Sequence, residues 1–139
     1  MAGANPRGLL IAAPQSGAGK TTVTLALLRA LKNAGRKIVS AKSGPDYIDP
    51  KFHEAASGRP CINLDAWAMT PDTVRALGRS HAEAADLLIV EGAMGLFDGA
   101  ASGKGSMEPR RNLHPAGDIP NSAAAIRHQR AGPQTDGMA

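Results

Sequence analysis

The stretch GLLIAAPQSGAGKTT, residues 8 to 22, decides the fold of this protein. Gly8 to Ala13 is a short, continuous apolar run, which is typical of a strand buried on both faces of a parallel sheet. A glycine-rich loop follows at once, and a helical pattern begins at Thr21. This setting favours a phosphate-binding loop, because backbone N–H groups at a helix N-terminus can surround an anion.

The residues of this loop have predicted roles in binding ATP and Mg²⁺. Lys20 is expected to neutralise the β- and γ-phosphates, the Thr21 hydroxyl to bind Mg²⁺ and Thr22 to contact the α-phosphate. The strict GxxxxGK[ST] pattern has glycine where this chain has Pro14, which removes a permissive backbone position but no phosphate-contacting residue. The alternative is a glycine-rich turn without a ligand. The predicted nucleotide-binding residues are Ser16, Gly17, Ala18, Gly19, Lys20, Thr21 and Thr22.

The sequence after the loop continues the alternation of helices and strands. Strands are predicted at residues 8–13, 37–41 and 86–91, and helices at 21–33, 50–57 and from 70 to about 77. The first helix is predicted to bury one face that carries Val23, Leu27, Ala30 and Leu31. This order predicts right-handed βαβ units and an α/β fold, namely a P-loop NTPase-type parallel sheet with flanking helices, truncated to about three core strands.

Acidic residues follow two of the predicted strands. Glu91 ends the strand in DLLIVEG, at the edge where open α/β sheets bind ligands, and an acid there commonly holds Mg²⁺ in P-loop proteins. Asp46 and Asp49 lie in KSGPDYIDP, whose Gly-Pro and Asp-Pro pairs require a shaped loop. Asp49 also suits the N-cap of a helix that begins at Pro50. Asp98, in an Asp-Gly pair, is a turn residue or a further site residue.

Composition excludes several classes of protein. The length of 139 residues predicts one main domain, and the net charge of +4 is not concentrated in a basic run, so nucleic acid is not an expected partner. No apolar run approaches the ~20 residues needed to cross a bilayer, so no membrane role is expected. The single cysteine, Cys61, is predicted to be a small buried residue, and His53 and His81 are predicted to lie on the surface. A cytoplasmic location follows.

The character of the sequence changes after about Ser106. Residues 107–139 have four arginines, four prolines and no lysine, and they show no helical or strand period. We therefore predict a P-loop domain at residues 1–106 and a disordered tail at 107–139. A linker and a shifted reading frame are both compatible with this composition.

Four blocks of sequence together narrow the function. APQSGAGKTT, KSGPDYIDPKFHEAASGRP, INLDAWAM and VEGAMGLFDG, in this order and spacing, closely resemble cobyrinic acid a,c-diamide synthase over roughly residues 7 to 105. Dethiobiotin synthetase is a more distant likeness. The resemblance implies ATP-dependent amidation of the a- and c-side-chain carboxylates of cobyrinic or hydrogenobyrinic acid in cobalamin biosynthesis. In that reaction a substrate carboxylate attacks the γ-phosphate, and ammonia displaces phosphate from the resulting acyl phosphate.

The resemblance also implies roles for individual residues and partners. Thr21, Asp46 and Glu91 correspond to the metal-binding residues, and Asp49 to a residue that handles the substrate carboxylate. Lys42 is a weaker candidate for phosphate or substrate contact. The implied catalytic residues are Lys20, Asp46, Asp49 and Glu91. The implied partners are a corrinoid substrate, a second copy of the chain and a separate glutaminase or other ammonia source.

Three hypotheses about activity remain open at this point. The family continues into further strands and a glutaminase domain, of which these 139 residues carry no counterpart, so a chain that is inactive or ammonia-dependent is expected. A nucleotide-switched binding protein of the ParA/MinD group is the second hypothesis. Those proteins usually carry a second lysine where this chain has Gln15, and they lack GPDYIDP. An inert truncated fragment is the third hypothesis.

Overall fold

The computed structural model describes residues 7–95 and 123–125. Within these described residues, five parallel strands form one sheet in the order β3-β2-β4-β1-β5. The elements in chain order are β1 (Arg7–Ala12), α1 (Lys20–Asn33), β2 (Ile38–Ser43), α2 (Asp49–Ser57), β3 (Cys61–Leu64), α3 (Pro71–Ala82), β4 (Leu87–Glu91) and β5 (Ala123–Ala125).

Helices cover the sheet on both faces, which produces two hydrophobic cores. Helices α1 and α2 supply Leu28 and Ala56 to one core, which also contains Ile11, Ile38 and Ile89 from the strands. Helix α3 supplies Val74 and Ala82 to the second core, on the other face, with Val39, Ala41, Leu64, Leu88 and Val90. Successive residues of β2 alternate between the two cores, as the pleat of a strand requires. The prediction of an α/β, P-loop-type parallel sheet with flanking helices is confirmed.

The sheet has two more strands than the three predicted. The segment CINL forms β3, which pairs with β2, and β5 pairs with the other side of β1. Neither segment is long enough to show a strand pattern, and β5 consists of three alanines with no large apolar side chain. Apart from β5, the tail predicted to be disordered lies outside the described residues, and its disorder stays a prediction.

The helices also differ in detail from the predicted pattern. The buried positions of α1 are Lys20, Thr24 and Leu28. Of the predicted face, Leu27 and Leu31 pack against the core, whereas Val23 and Ala30 are exposed, so the prediction was wrong for those two residues. Thr24 can be buried because its hydroxyl donates to the carbonyl of Lys20 at 2.8 Å, which satisfies the polar group. In the described parts of the chain, no helix has the length and apolar character of a membrane span.

Candidate functional site

The phosphate-binding loop ends in a helix N-terminus that is suited to an anion. Gly17 and Gly19 adopt left-handed backbone angles, with φ of 74° and 87°, which glycine adopts without steric strain. Gly19 is the N-cap of α1, and within the described residues no side chain caps this end of the helix. Lys20, the first residue of α1, is only 7% exposed. The N-terminus of α1 is therefore suited to an anion, and Lys20 places a positive charge at this end of the helix.

Glu91 is the centre of a buried polar cluster. It ends β4 and is fully buried, and its Oε1 accepts hydrogen bonds from Thr21 Oγ1 at 2.6 Å and Lys42 Nζ at 2.8 Å. Its Oε2 contacts His53 Nε2 at 2.8 Å. Lys42 reaches Glu91 because the parallel pairing of β2 and β4 brings the two residues into register. Residues from three separate elements, α1, β2 and α2, thus converge on the carboxylate at the end of β4.

The cluster is held in its charged form. Burial by itself would raise the pKa of Glu91, but hydrogen bonds from His53, Lys42 and Thr21 lower it to about 2. Burial would likewise lower the pKa of Lys42, but its hydrogen bonds to Asp49 and Glu91 raise it above its usual value. At neutral pH the site therefore contains a buried ammonium between carboxylates.

The two aspartates of KSGPDYIDP make different contacts around the start of α2. Asp46 Oδ1 accepts the backbone N–H groups of Ile48, which is the N-cap of α2, and of Asp49, the first residue of that helix, at 2.9 and 3.0 Å; Asp49 is therefore not the N-cap that the sequence predicted. Asp49 instead contacts Lys42 Nζ at 2.5 Å and Thr21 Oγ1 at 3.3 Å. The second carboxylate oxygen of Asp46 lies 3.7 Å from Lys42 Nζ. Asp49, rather than Asp46, is thus the aspartate in contact with the phosphate-loop threonine.

The capping contacts lead to a prediction about Asp46. The Asp46→Ala variant is expected to lose about 1 kcal/mol of unfolding free energy, because two backbone N–H groups lose their acceptor. Asp46→Asn should retain most of that stability, since an amide oxygen accepts the same bonds. Urea denaturation of both variants checks this expectation. Equal stability of Asp46→Ala and the unmodified chain would contradict the capping role.

His53 and Cys61 form a part of the cluster that the sequence analysis missed. The prediction that His53 lies on the surface was wrong, because the residue is fully buried against Glu91. Cys61, predicted to be buried, is half-buried, and its Sγ lies 3.5 Å from His53 Nδ1. Burial would lower the pKa of His53, but hydrogen bonds to Cys61 and Glu91 raise it to about 9. His53 follows Asp49 by four residues, one helical turn, which was the available signal.

The oxygen atoms of Thr21 and Glu91 could form part of a magnesium site whose other oxygen ligands come from phosphate and water. Within the described residues, no three His, Cys, Asp or Glu side chains are grouped so as to hold a metal ion by themselves. Mg²⁺ is commonly bound through one or two carboxylates plus phosphate and water oxygens, rather than by an all-protein cage. A threonine hydroxyl in contact with a buried carboxylate, beside a phosphate-binding loop, fits that mode of binding.

The structure brings Thr21, Asp49 and Glu91 into one cluster with Lys42, and Asp46 lies at its edge. Asp98 lies outside the described residues. Loops that follow β2, β3 and β4 also carry large exposed apolar side chains, namely Tyr47, Ile48, Trp67 and Met94. These loops follow the carboxyl ends of the strands, where the polar cluster lies.

Comparisons with known proteins place this chain in a nucleotide-binding family. The family model of the CobQ/CobB/MinD/ParA nucleotide binding domain matches residues 9–130. Hydrogenobyrinate a,c-diamide synthase of Rhizobium meliloti is 60% identical over 99 residues, 71% of this chain and 23% of the relative. The synthases of that name from Brucella anthropi and Rhodobacter capsulatus are 60% and 57% identical, over 72% and 73% of this chain and 23% and 24% of the relatives. The chain therefore spans about a quarter of these curated relatives. The resemblance drawn from the sequence blocks is confirmed.

Proposed function

Because this chain belongs to the CobQ/CobB/MinD/ParA nucleotide binding domain family, we propose that it binds Mg-ATP as part of a hydrogenobyrinate a,c-diamide synthase. The Thr21–Glu91 contact of 2.6 Å, which joins the phosphate loop to the end of β4, is the observation that carries this proposal. It joins the phosphate-loop hydroxyl and the strand-end acid that P-loop enzymes use together at the metal.

The proposed nucleotide site uses the first turn of α1 and the loop before it. Residues Ser16 to Thr22 surround the phosphates with backbone N–H groups, and the Lys20 ammonium neutralises the β- and γ-phosphates. Thr21 and Glu91 would hold Mg²⁺, with the Asp46 and Asp49 carboxylates beside them. The metal, when bound, neutralises charge that develops on the phosphate oxygens.

The proposed reaction is transfer of the γ-phosphoryl group to a substrate carboxylate. A carboxylate oxygen of the corrinoid side chain bonds to the γ-phosphorus as the bond from that phosphorus to the bridging oxygen breaks, and ADP leaves. Ammonia then attacks the acyl carbon, and phosphate leaves with the former carboxylate oxygen. Lys20 stabilises the charge of the transferring group, which is the main contribution a protein makes to this chemistry.

The loops beside the polar cluster support a large organic substrate. Tyr47, Ile48, Trp67 and Met94 are exposed apolar side chains on the loops that follow β2, β3 and β4, at the edge of the sheet where the cluster lies. Apolar and aromatic surface beside a few polar groups is typical of sites for large organic ligands. A corrin ring with acidic side chains has this combination of properties.

The name of the relatives supports the proposed substrate of the whole protein, and the other proposed partners rest on the resemblance of the sequence blocks. The substrate is hydrogenobyrinic acid or its cobalt-containing counterpart, and the ammonia comes from a glutaminase or from solution. A second copy of the chain remains a proposed partner, and a cytoplasmic location remains a prediction. A nucleotide-switched binding protein of the ParA/MinD type would need no corrinoid. A titration of the Mg-ATP-loaded chain with hydrogenobyrinic acid, monitored by the visible absorption of the corrinoid, distinguishes the two functions. Binding supports the synthase, and absence of binding supports the nucleotide-switched protein.

The Thr21 hydroxyl provides the direct test of Mg-ATP binding. We expect Thr21→Val to raise the dissociation constant for Mg-ATP about 10-fold, because one oxygen contact to the metal is lost. The matched Thr21→Ser variant retains a hydroxyl and should bind within a few-fold of the unmodified chain. Isothermal titration calorimetry with ATP in excess Mg²⁺ gives both values. Failure of the unmodified chain to bind Mg-ATP, or equal affinity of Thr21→Val, would reject the proposal.

A further inference from the structure

A hydrogen-bonded line of three side chains runs away from the candidate metal site into the protein. Glu91 Oε1 lies on the side of Thr21 and Lys42, and Oε2 faces His53. His53 then contacts Cys61 through its other ring nitrogen. His53 and Glu91 have fully buried side chains. The two carboxylate oxygens of Glu91 therefore make separate contacts: Oε1 contacts residues of the candidate metal site, and Oε2 contacts the buried His53.

The geometry determines which ring nitrogen of His53 carries the contact to Glu91. An ionised carboxylate only accepts hydrogen bonds, so Nε2 must donate a proton to Oε2. The thiol of Cys61 occupies Nδ1 and restricts rotation of the ring about its long axis. His53 is on α2 and Cys61 is on β3, so the orientation of Glu91 depends on how these two elements pack against β4.

We propose that His53, oriented by Cys61, is a positioning residue that holds the Glu91 carboxylate in the orientation required to bind Mg²⁺ beside Thr21. The inference rests on the proposed function, because it assigns Glu91 to the metal. Groups that orient metal ligands in this way are commonly as important as the ligands, and their loss typically lowers metal affinity 10- to 100-fold. His53 itself contacts neither nucleotide nor metal.

The experiment compares the affinity of the full 139-residue chain for ATP in Mg²⁺ with its affinity in EDTA. The ratio of the two affinities measures the contribution of the metal and is insensitive to a uniform loss of folded protein. His53→Leu is expected to reduce the ratio about 10- to 100-fold while the affinity in EDTA stays unchanged. His53→Gln should recover most of the ratio, because its terminal amide can place an N–H near the position of Nε2.

Two further variants keep the test decisive. His81→Leu removes a half-buried histidine of a different helix, α3, whose ring contacts the Ser40 carbonyl of β2, and it should leave the ratio unchanged. Cys61→Ala should reduce the ratio a few-fold, whereas Cys61→Ser should preserve it, and this pair decides the question if His53→Leu does not fold. If His53→Leu folds and its ratio is unchanged, the inference is overturned. If His53→Leu does not fold, an unchanged ratio in both Cys61→Ala and Cys61→Ser overturns it. Absence of Mg-ATP binding by the unmodified chain would instead reject the proposed function.

Discussion

Replacing Lys42 by methionine is expected to lower the free energy of unfolding by about 3–5 kcal/mol at pH 7 in metal-free buffer. Lys42 is only 5% exposed, and its ammonium contacts both Glu91 and Asp49. Without that ammonium, Asp49 and Glu91 lose the cation that they share, and the Glu91 carboxylate is fully buried. Methionine retains much of the side-chain volume, so the loss reports charge rather than a cavity. Urea denaturation measures the change.

The chain offers a matched control for this substitution. Lys51 pairs with Glu54 at 2.9 Å, but its side chain is 76% exposed, so Lys51→Met should cost less than about 1 kcal/mol. Adding Glu91→Gln to Lys42→Met should restore part of the lost stability, because one of the two carboxylates that lost the ammonium is then neutral. A loss for Lys42→Met no larger than that for Lys51→Met would show that the buried cluster does not stabilise the fold.

The Lys20→Ala variant is expected to bind Mg-ATP about 100-fold more weakly than the unmodified chain. A hydrogen bond to a charged group contributes about 1.5–3 kcal/mol, and Lys20 is proposed to contact two phosphates from a nearly buried position. The helix N-terminus and the metal would still attract the nucleotide, so weak binding should remain. Isothermal titration calorimetry at constant ionic strength gives the dissociation constants.

Lys37→Ala is the control for the loss of one positive charge. Lys37 is exposed and immediately precedes β2, at the opposite edge of the sheet from the proposed site. Its removal should change Mg-ATP affinity by less than about 2-fold, because a distant exposed charge is largely screened. Equal affinities for Lys20→Ala and the unmodified chain would show that the loop does not bind the phosphates.

Much of the fold could be predicted because local chemistry carries its signals. The apolar run of β1, the loop before Lys20 and the apolar run of β4 each indicate their structure within a few residues. The same applies to Glu91, whose place at a strand end follows from the strand itself. The number of strands could not be predicted from the sequence, because β3 has four residues and β5 has three. Segments this short do not show the alternation of apolar and polar residues that indicates a strand.

The sequence by itself determined the type of sheet, the phosphate-binding loop and the family. These follow from residue types at fixed spacing along one segment, where covalent geometry sets the distances. Only the tertiary structure decided that Asp49, rather than Asp46, contacts Thr21, and that His53 lies buried behind Glu91. Those contacts depend on the register between β2 and β4 and on the packing of α2. Register and packing are set by the two cores as a whole, so no local pattern of residues could predict them.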